Sequence, residues 1–322
     1  AAKQPAMLKT ATQNIEKIQF SIEDLNCLAE NANQNKAELT ASALNDLLKF
    51  AGTVTHEQNK RPLPEQILDL TRQTLLASTS ASVSPGISKL LNVLVSSPNS
   101  PALTQLPALD PDTIPEQYRN IFTQLTKILK IENTQFALSH TQNLIANTCP
   151  PSILIEPEQI QNMTLTHWTA RAATSLILCR PESLLCATLP PANVMEHLNT
   201  IVSIANAART KTNIHIPNSE QYLQTLQDTN MMTAIMPRIT PETLASIKHY
   251  AIELRNTALQ AAFILSQSLN DCITIAAELE GIRTPTNLST LKSAMKQSSL
   301  IKGLVTFAIS PNAQRLYTRI FS

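Results

Sequence analysis

The chain has 322 residues, a formal net charge of +1, 43% hydrophobic residues and only 15% charged residues. Its 4 glycines argue against β-hairpins and glycine-rich phosphate loops, because both need residues at positive φ. Five cysteines are too few for a disulfide scaffold of this length, so we expect a soluble protein of a reducing compartment, in the cytoplasm or inside a virion or host cell. These features favour an all-α, multi-helix bundle with two helical subdomains joined by a proline-rich connector.

The first predicted element is a helix over residues 5–29. Its apolar residues recur at spacings of three and four, as in a coiled coil. An antiparallel helix ending at Ala51, before Gly52, can cover this seam within the chain, and another chain is the alternative. We therefore predict an N-terminal hairpin-like or coiled-coil-like region over residues 1–95. The seam consists of Leu8, Ile15, Ile18, Ile22 and Leu25.

Several helix starts are predicted from a proline followed by a glutamate. Proline loses no hydrogen bond at the first helical position, and glutamate there complements the helix dipole. A loop is predicted for the hydroxyl-rich residues 78–84, with a short helix after Pro85. The predicted starts fall at residues 63–66, 114–117, 156–159, 180–183 and 240–243.

The stretch 96–115 contains five prolines and neither lysine nor arginine. Its prolines disfavour a long helix and favour extended backbone. The interleaved leucines, Leu103, Leu106 and Leu109, indicate that the stretch packs along a surface. We predict a connector over residues 96–114, followed by a larger helical domain over residues 115–322.

The larger domain is predicted to be helical along most of its length. Its central helix covers residues 241–280, and Trp168 is predicted to anchor the core. The seam of the central helix contains Leu244, Ile247, Leu254 and Leu265. The other helices are predicted near residues 115–132, 134–147, 157–179, 190–209 and 218–235.

Basic residues are concentrated at the end of the chain. Residues 281–322 contain six basic and no acidic residues, which leaves a net charge of −5 on the preceding 280. Two helices are predicted there, over 288–305 and 311–321. They give a candidate polyanion-binding surface, suited to RNA or another polyanion, although a solvated basic face is the alternative. Its residues are Lys292, Lys296, Lys302, Arg315 and Arg319.

No motif for catalysis or metal binding is present. Cys179 and Cys186 are seven residues apart, too far for a zinc knuckle, and the histidines are scattered singly. We therefore predict no catalytic residues, no metal, no cofactor and no enzymatic activity, and leave open a dyad of Cys149 with a distant histidine. The longest uncharged run, Leu90 to Leu109, contains three prolines, so no transmembrane segment is predicted.

These patterns favour a non-enzymatic structural or assembly protein that packs its helices against itself or another protein. The chain begins Ala-Ala without methionine, which fits a proteolytically matured viral core, matrix or nucleocapsid-type subunit. Removal of methionine alone, or cleavage of a signal peptide, would produce the same start. A secreted bacterial effector or translocation partner, which binds a host or bacterial protein, is the first alternative function. RNA binding through the basic C-terminal segment is the second.

Overall fold

Most of the described part of the protein is helical in the computed structural model. The described residues form fourteen α-helices and three short strands, and 69% of these residues are helical. The all-α, multi-helix fold predicted from the sequence is therefore confirmed. The structure describes residues 3–53, 60–64, 85–131, 133–138, 143–156, 158, 160, 162–212, 215–231 and 241–321.

The helices and strands follow one another in this order. The first described helices are α1 (Lys3–Glu16), α2 (Ile22–Gln34), α3 (Glu38–Phe50) and α4 (Pro85–Ser96). After the connector come α5 (Glu116–Leu129), β1 (Gln135–Leu138), β2 (Ile145–Ala146) and β3 (Ser152–Ile155). Next are α6 (Leu165–Leu178), α7 (Pro181–Thr188), α8 (Pro191–Thr210), α9 (Ser219–Asp228) and α10 (Pro241–Ser266). The last are α11 (Leu269–Glu280), α12 (Leu288–Gln297), α13 (Ser299–Ala308) and α14 (Pro311–Phe321).

Proline begins several helices, as the sequence predicts. Pro115 is the N-cap of α5, and Pro181 lies in the first turn of α7. Pro85 and Pro241 begin α4 and α10. The predicted start at 63–66 extends beyond the described residues, and the predicted loop at 78–84 lies outside them.

Three of the predicted helices are confirmed in extent. The helices predicted near 115–132, 190–209 and 311–321 are α5, α8 and α14. The helix predicted over 218–235 is confirmed only as α9, which ends at Asp228.

The helix predicted over residues 5–29 is wrong as a single element, because residues 17–21 interrupt it. We call this interruption the first break. Ile18 adopts a left-handed conformation with a φ of 58°. Ser21 then begins α2 as a capping box: its side chain accepts a hydrogen bond from Asp24 N, and the Asp24 carboxylate accepts one from Ser21 N.

The helix predicted over residues 241–280 is also wrong as a single element. It is interrupted at Gln267 and Ser268, which we call the second break. Gln267 has a φ of 55°, and the Ser268 side chain accepts a hydrogen bond from Asp271 N at the start of α11. A left-handed residue followed by a serine cap thus interrupts both of the predicted long helices.

Two further helices differ in extent from their predictions. Ser298 caps α13 and separates it from α12, so the helix predicted over 288–305 is two helices. The helix predicted over 157–179 is interrupted by non-helical residues 162–164, after which α6 begins.

The two predicted seams are only partly buried, because each break changes the direction of the helix. Ile22 is the most exposed of the predicted seam residues. It lies in the first turn of α2 and is 40% exposed, so its assignment to a packed seam is wrong. The buried seam residues are Ile15, Leu25, Ile247, Leu254 and Leu265, and the half-buried ones are Leu8, Ile18 and Leu244.

The helix predicted over residues 134–147 is wrong, because this stretch forms β1 and β2. Strand β3 lies between them in the sheet, parallel to β1 and antiparallel to β2, so that both Phe136 and Ile145 lie opposite Ile153. Strand β3 is a run of four buried residues between prolines, and such short apolar runs form buried strands. Pairing with β3 buries Phe136 and Ile145, whereas Leu138 of β1 stays 47% exposed.

The proline-rich connector lies along the sheet. The backbone N–H of Leu109 donates to Phe136 O at 2.7 Å, and that of Thr104 donates to Asn147 O at 2.8 Å. Leu103 and Leu109 pack against the core, as predicted, whereas Leu106 is 37% exposed. The connector is therefore held against the fold at Ala102, Leu103, Leu109 and Ile114, and residues 104–108 between these contacts are exposed.

The hydrophobic core is continuous across the connector. Buried residues from both sides of it belong to one cluster, and α6 and α10 pack together along much of their lengths. Both helices bury alanines, such as Ala170 and Ala258, which allow close approach. Trp168 is 1% exposed and donates from Nε1 to Tyr118 O at 2.9 Å, which confirms its predicted role in the core.

Helix α3 is fixed to the C-terminal helices through their ends. The buried Asp46 carboxylate of α3 accepts hydrogen bonds from Leu269 N at 2.8 Å and Asn270 N at 3.3 Å, the first N–H groups of α11. In return, Gln314 of α14 accepts from Leu39 N at 3.0 Å, where α3 has no side-chain cap of its own. The division into two subdomains remains a prediction, but α3 is firmly attached to α11 and α14.

Candidate functional site

The basic residues of α12–α14 divide into one packed and four exposed side chains. The Nζ atom of Lys292 lies 4.9 Å from the centre of the Phe20 ring, in a cation–π contact, and Lys292 is half-buried. Within the described part of the chain, no carboxylate forms a salt bridge with any of the five candidate residues. The exposed ones are Lys296, Lys302, Arg315 and Arg319.

A groove of about 530 Å³ lies between α1, α2, α3 and the turn from α13 to α14. Its base includes the buried Leu44 and Ala32, and its walls include the half-buried Leu8, Leu28 and Ile309. Leu8, a residue of the predicted first seam, thus lines an open groove and is only half-buried. The groove exists because the first break turns α2 back beside α1, and because Gln314 holds α3 against α14.

Two oppositely charged residues of α1 also line this groove. Lys9 and Glu16 are both exposed and are seven residues apart, so they lie on one face of the helix about two turns apart. No described residue forms a salt bridge with either of them. Met7, beside Leu8, is 59% exposed. The groove therefore combines apolar surface with uncompensated charges of both signs.

Two histidines have partners that the sequence did not reveal. His167 Nδ1 lies 3.2 Å from Asp271 Oδ1, and both side chains are 17% exposed. Burial alone would raise the pKa of Asp271, but hydrogen bonds from His167 and Ser268 hold this pKa below its ordinary value. His197 Nδ1 lies 2.7 Å from Tyr222 Oη; burial lowers the pKa of His197 and raises the pKa of Tyr222 to about 12.

These pairs join different helices, and no spacing in the sequence indicates them. Of the other histidines, His215 and His249 are exposed, whereas His56 and His140 lie outside the described residues. In the described ranges, no group of three or more histidine, cysteine, aspartate or glutamate side chains is placed to hold a metal ion.

All five cysteines lie within the described residues and are free thiols. Burial raises the pKa of Cys179 and Cys272 strongly, that of Cys186 to about 12, and that of the half-buried Cys149. A raised pKa keeps a thiol protonated at neutral pH and makes it a poor nucleophile. Cys149 makes no hydrogen bond to a described histidine. Cys272 is buried, whereas Cys27 is half-buried.

No protein-family model, curated protein or solved structure matches the chain. None of the described helices is long and apolar enough to cross a membrane.

Proposed function

We propose that the protein is a structural subunit that assembles by packing its helices against a second copy of itself. The observation that carries this proposal is the groove beside α1, where Lys9 and Glu16 flank an apolar surface without partners among the described residues. A second copy is the occupant that this charge pattern matches, because the pattern is complementary to itself.

The complementarity follows from the spacing of the two charges. If two α1 helices cross antiparallel about a two-fold axis near Thr12, Lys9 of each copy lies opposite Glu16 of the other. Thr12, which lies between them and also lines the groove, is small enough to allow close approach. One symmetric contact thus pairs both charges on both copies.

Apolar residues supply the rest of the contact. Met7 is largely exposed, and in the antiparallel arrangement it can reach the partner's apolar wall. Leu8, Leu28 and Ile309 form that wall. Burial of such side chains contributes about 25 cal/mol per Å² of apolar surface, so they, and not the ion pairs, supply most of the stability of the dimer.

Charge reversal tests this arrangement directly. Lys9→Glu and Glu16→Lys each place like charges opposite one another, and we expect each variant to weaken dimerisation about tenfold, or ~1.4 kcal/mol. The double variant, Lys9→Glu with Glu16→Lys, restores opposite charges and should recover dimerisation. Sedimentation equilibrium gives the dissociation constants.

A distant residue supplies the control for charge. Lys89 of α4 is exposed and does not line the groove, so Lys89→Glu should leave dimerisation unchanged. A protein that stays monomeric at all concentrations would contradict the proposal. Equal weakening in the single and double variants would show that the two charges do not face each other.

More specifically, we propose that the chain is a subunit of a viral core, matrix or nucleocapsid-type assembly. Such a subunit needs one surface for its own copies and, in a nucleocapsid, another for a polyanion. The groove is suited to the first purpose and the basic helices to the second.

Polyanion binding is the second candidate function, favoured by the exposed basic side chains of α12–α14. Lys302 projects from the exposed side of α13, while Arg315 and Arg319 are four residues apart and share a face of α14. The same helices bury Leu300, Leu316 and other residues in the core, so these charges are mounted on fixed elements.

Neutralisation of the four exposed bases tests this second function. The variant changes Lys296, Lys302, Arg315 and Arg319 to Gln and leaves Lys292 on Phe20, so that the packing is kept. We expect RNA binding to weaken and its salt dependence to become shallower, by ~0.7 in log–log slope for each phosphate that is no longer bound. Fluorescence anisotropy with a single-stranded RNA measures both quantities.

A second quadruple variant separates a defined surface from overall charge. Lys89, Lys127, Arg209 and Lys248 are all exposed and lie elsewhere in the chain. Their change to Gln alters the net charge equally and should affect RNA binding less. Equal loss in both variants would show that only the net charge matters, and unchanged binding in the first would remove this candidate function.

A further inference from the structure

A second cavity, of about 520 Å³, lies on another part of the molecule. It is bounded by the connector, the small sheet and the helices α6, α7, α10 and α11. Its volume is within the range of small-molecule sites in proteins, roughly 300–1,000 Å³. Neither the groove nor the basic helices contribute to it.

An arginine without a carboxylate partner lines this cavity. The Arg255 guanidinium makes a single hydrogen bond to the described part of the chain, from Nη2 to Ala187 O at 3.3 Å. Its Nε atom is shielded from solvent and has no hydrogen-bond partner among the residues that the structure describes. A buried donor without an acceptor is unfavourable, so its persistence needs an explanation.

The remaining polar groups of the cavity are already engaged. The carboxylate of Glu278 lies 2.7 Å from Arg171 Nη1, and that pair compensates itself. The Asn147 side chain donates to Ala102 O at 2.7 Å and holds the connector in place. Of the charges on the described lining, that of Arg255 is therefore the uncompensated one.

Most of the lining is apolar. Leu144, Leu154, Leu178 and Leu279 contribute to the walls. Two further leucines on the lining, Leu106 of the connector and Leu138 of β1, are 37% and 47% exposed. Large apolar side chains left open to water around a concave site indicate that an apolar ligand can cover them.

We infer that this cavity binds an aliphatic carboxylate, with its carboxylate on Arg255 and its chain along the leucines. The carboxylate supplies acceptors for the donors that the guanidinium does not use. The chain displaces water from the leucines. A cationic ligand of the same length would be repelled, and a short carboxylate would lack the apolar contact.

Titration calorimetry with three probes tests the inference on the unmodified chain. Decanoate should bind, with a dissociation constant in the micromolar range. Decyltrimethylammonium, which has the same chain with the opposite charge, should bind at least tenfold more weakly. Acetate, which has the carboxylate without the chain, should also bind at least tenfold more weakly. No binding of decanoate up to millimolar concentration would overturn the inference.

Two variants locate the site. Arg255→Gln should weaken decanoate binding at least tenfold, whereas Arg283→Gln, at an exposed arginine that does not line the cavity, should leave it unchanged. Leu138→Trp should also weaken binding, because a larger side chain at this exposed position of β1 narrows the opening. Because it leaves Arg255 in place, this variant keeps the test valid if Arg255→Gln does not fold. Decanoate affinity unchanged in both Arg255→Gln and Leu138→Trp would contradict the proposed site.

Discussion

The first and second breaks have the same local structure but very different surroundings. At each, a left-handed residue, Ile18 or Gln267, ends a helix, and a serine caps the next one. The first break is closed by its neighbours: Asn14 donates to the Asp24 carboxylate, which is part of the capping box. Its hydrogen bonds come from residues close in sequence.

The second break is buried, and its hydrogen-bond partners are residues far away in the sequence. Asp46, 223 residues away, accepts from Leu269 N, and the side chain of Gln267 bonds to both backbone groups of Arg61. Tyr317 Oη lies 3.2 Å from Gln267 Oε1. At both breaks, the local sequence determines where the helix ends. We expect the tertiary contacts around each break to determine how much it contributes to the stability of the fold.

The largest expected effect is at Asp46. Asp46→Ala removes the acceptor of the buried Leu269 N–H and of the partly buried Asn270 N–H, and should lower the free energy of unfolding by ~3 kcal/mol. Asp24→Ala, the matched change at the first break, should cost ~1 kcal/mol, as for an ordinary cap. Urea denaturation measures both. Equal losses at the two positions would contradict the difference between the breaks.

Gln267 should come next. Gln267→Gly keeps the left-handed backbone without strain but removes the hydrogen bonds to Arg61 and Tyr317, so we expect a loss of ~2 kcal/mol. Gln267→Ala should cost ~1 kcal/mol more, because alanine disfavours this conformation. If glycine restored full stability, the side-chain contacts of Gln267 would contribute nothing.

Acid should weaken the second break through Asp271. Its pKa in the folded protein lies below the ordinary value, so its contribution is present above about pH 4 and is lost as the pH falls through the folded pKa. Asp271→Asn should cost ~1 kcal/mol at pH 7 and make unfolding less dependent on pH at the acid end. Thermal melts from pH 3 to 7 test this, and an acid limb unchanged in the variant would exclude Asp271 as its source.

The smallest effect is expected at Ile18. Ile18→Gly relieves a left-handed β-branched residue but removes a half-buried side chain. These two effects oppose each other, and the free energy of unfolding should change by less than ~0.5 kcal/mol, or rise slightly. A loss of several kcal/mol would mean that Ile18 belongs to a buried seam, as the heptad spacing alone suggests.

The positions of the two breaks could be predicted from the sequence. Both breaks contain a serine followed three residues later by an aspartate, Ser21 with Asp24 and Ser268 with Asp271, which is the pattern of a helix start. The heptad spacing continues through the first pattern, whereas at the second it shifts by an additional step of four, from Leu265 to Leu269. The helical spacing by itself nevertheless predicts two long helices. The capping signal is therefore present in the sequence, and it is the better guide to where these helices end.

Other features have no local signal. Asp46 and Gln314 lie within helices, and their bonds to helix ends join residues more than 200 positions apart. The groove and the Arg255 cavity likewise arise from residues brought together only by the fold. By contrast, the proline-linked starts of α5, α7 and α10 follow from backbone geometry at single residues, which explains why these three starts are predicted correctly.

Hydrogen exchange at two protein concentrations tests directly whether the chain assembles through the groove beside the first break. When the protein concentration is raised about a hundredfold, we expect new protection in residues 5–24 and 306–314, because mass action increases the fraction of dimer. Residues 267–271, at the buried second break, should be protected equally at both concentrations. Unchanged exchange in residues 5–24, or new protection confined to another surface, would contradict assembly through this groove.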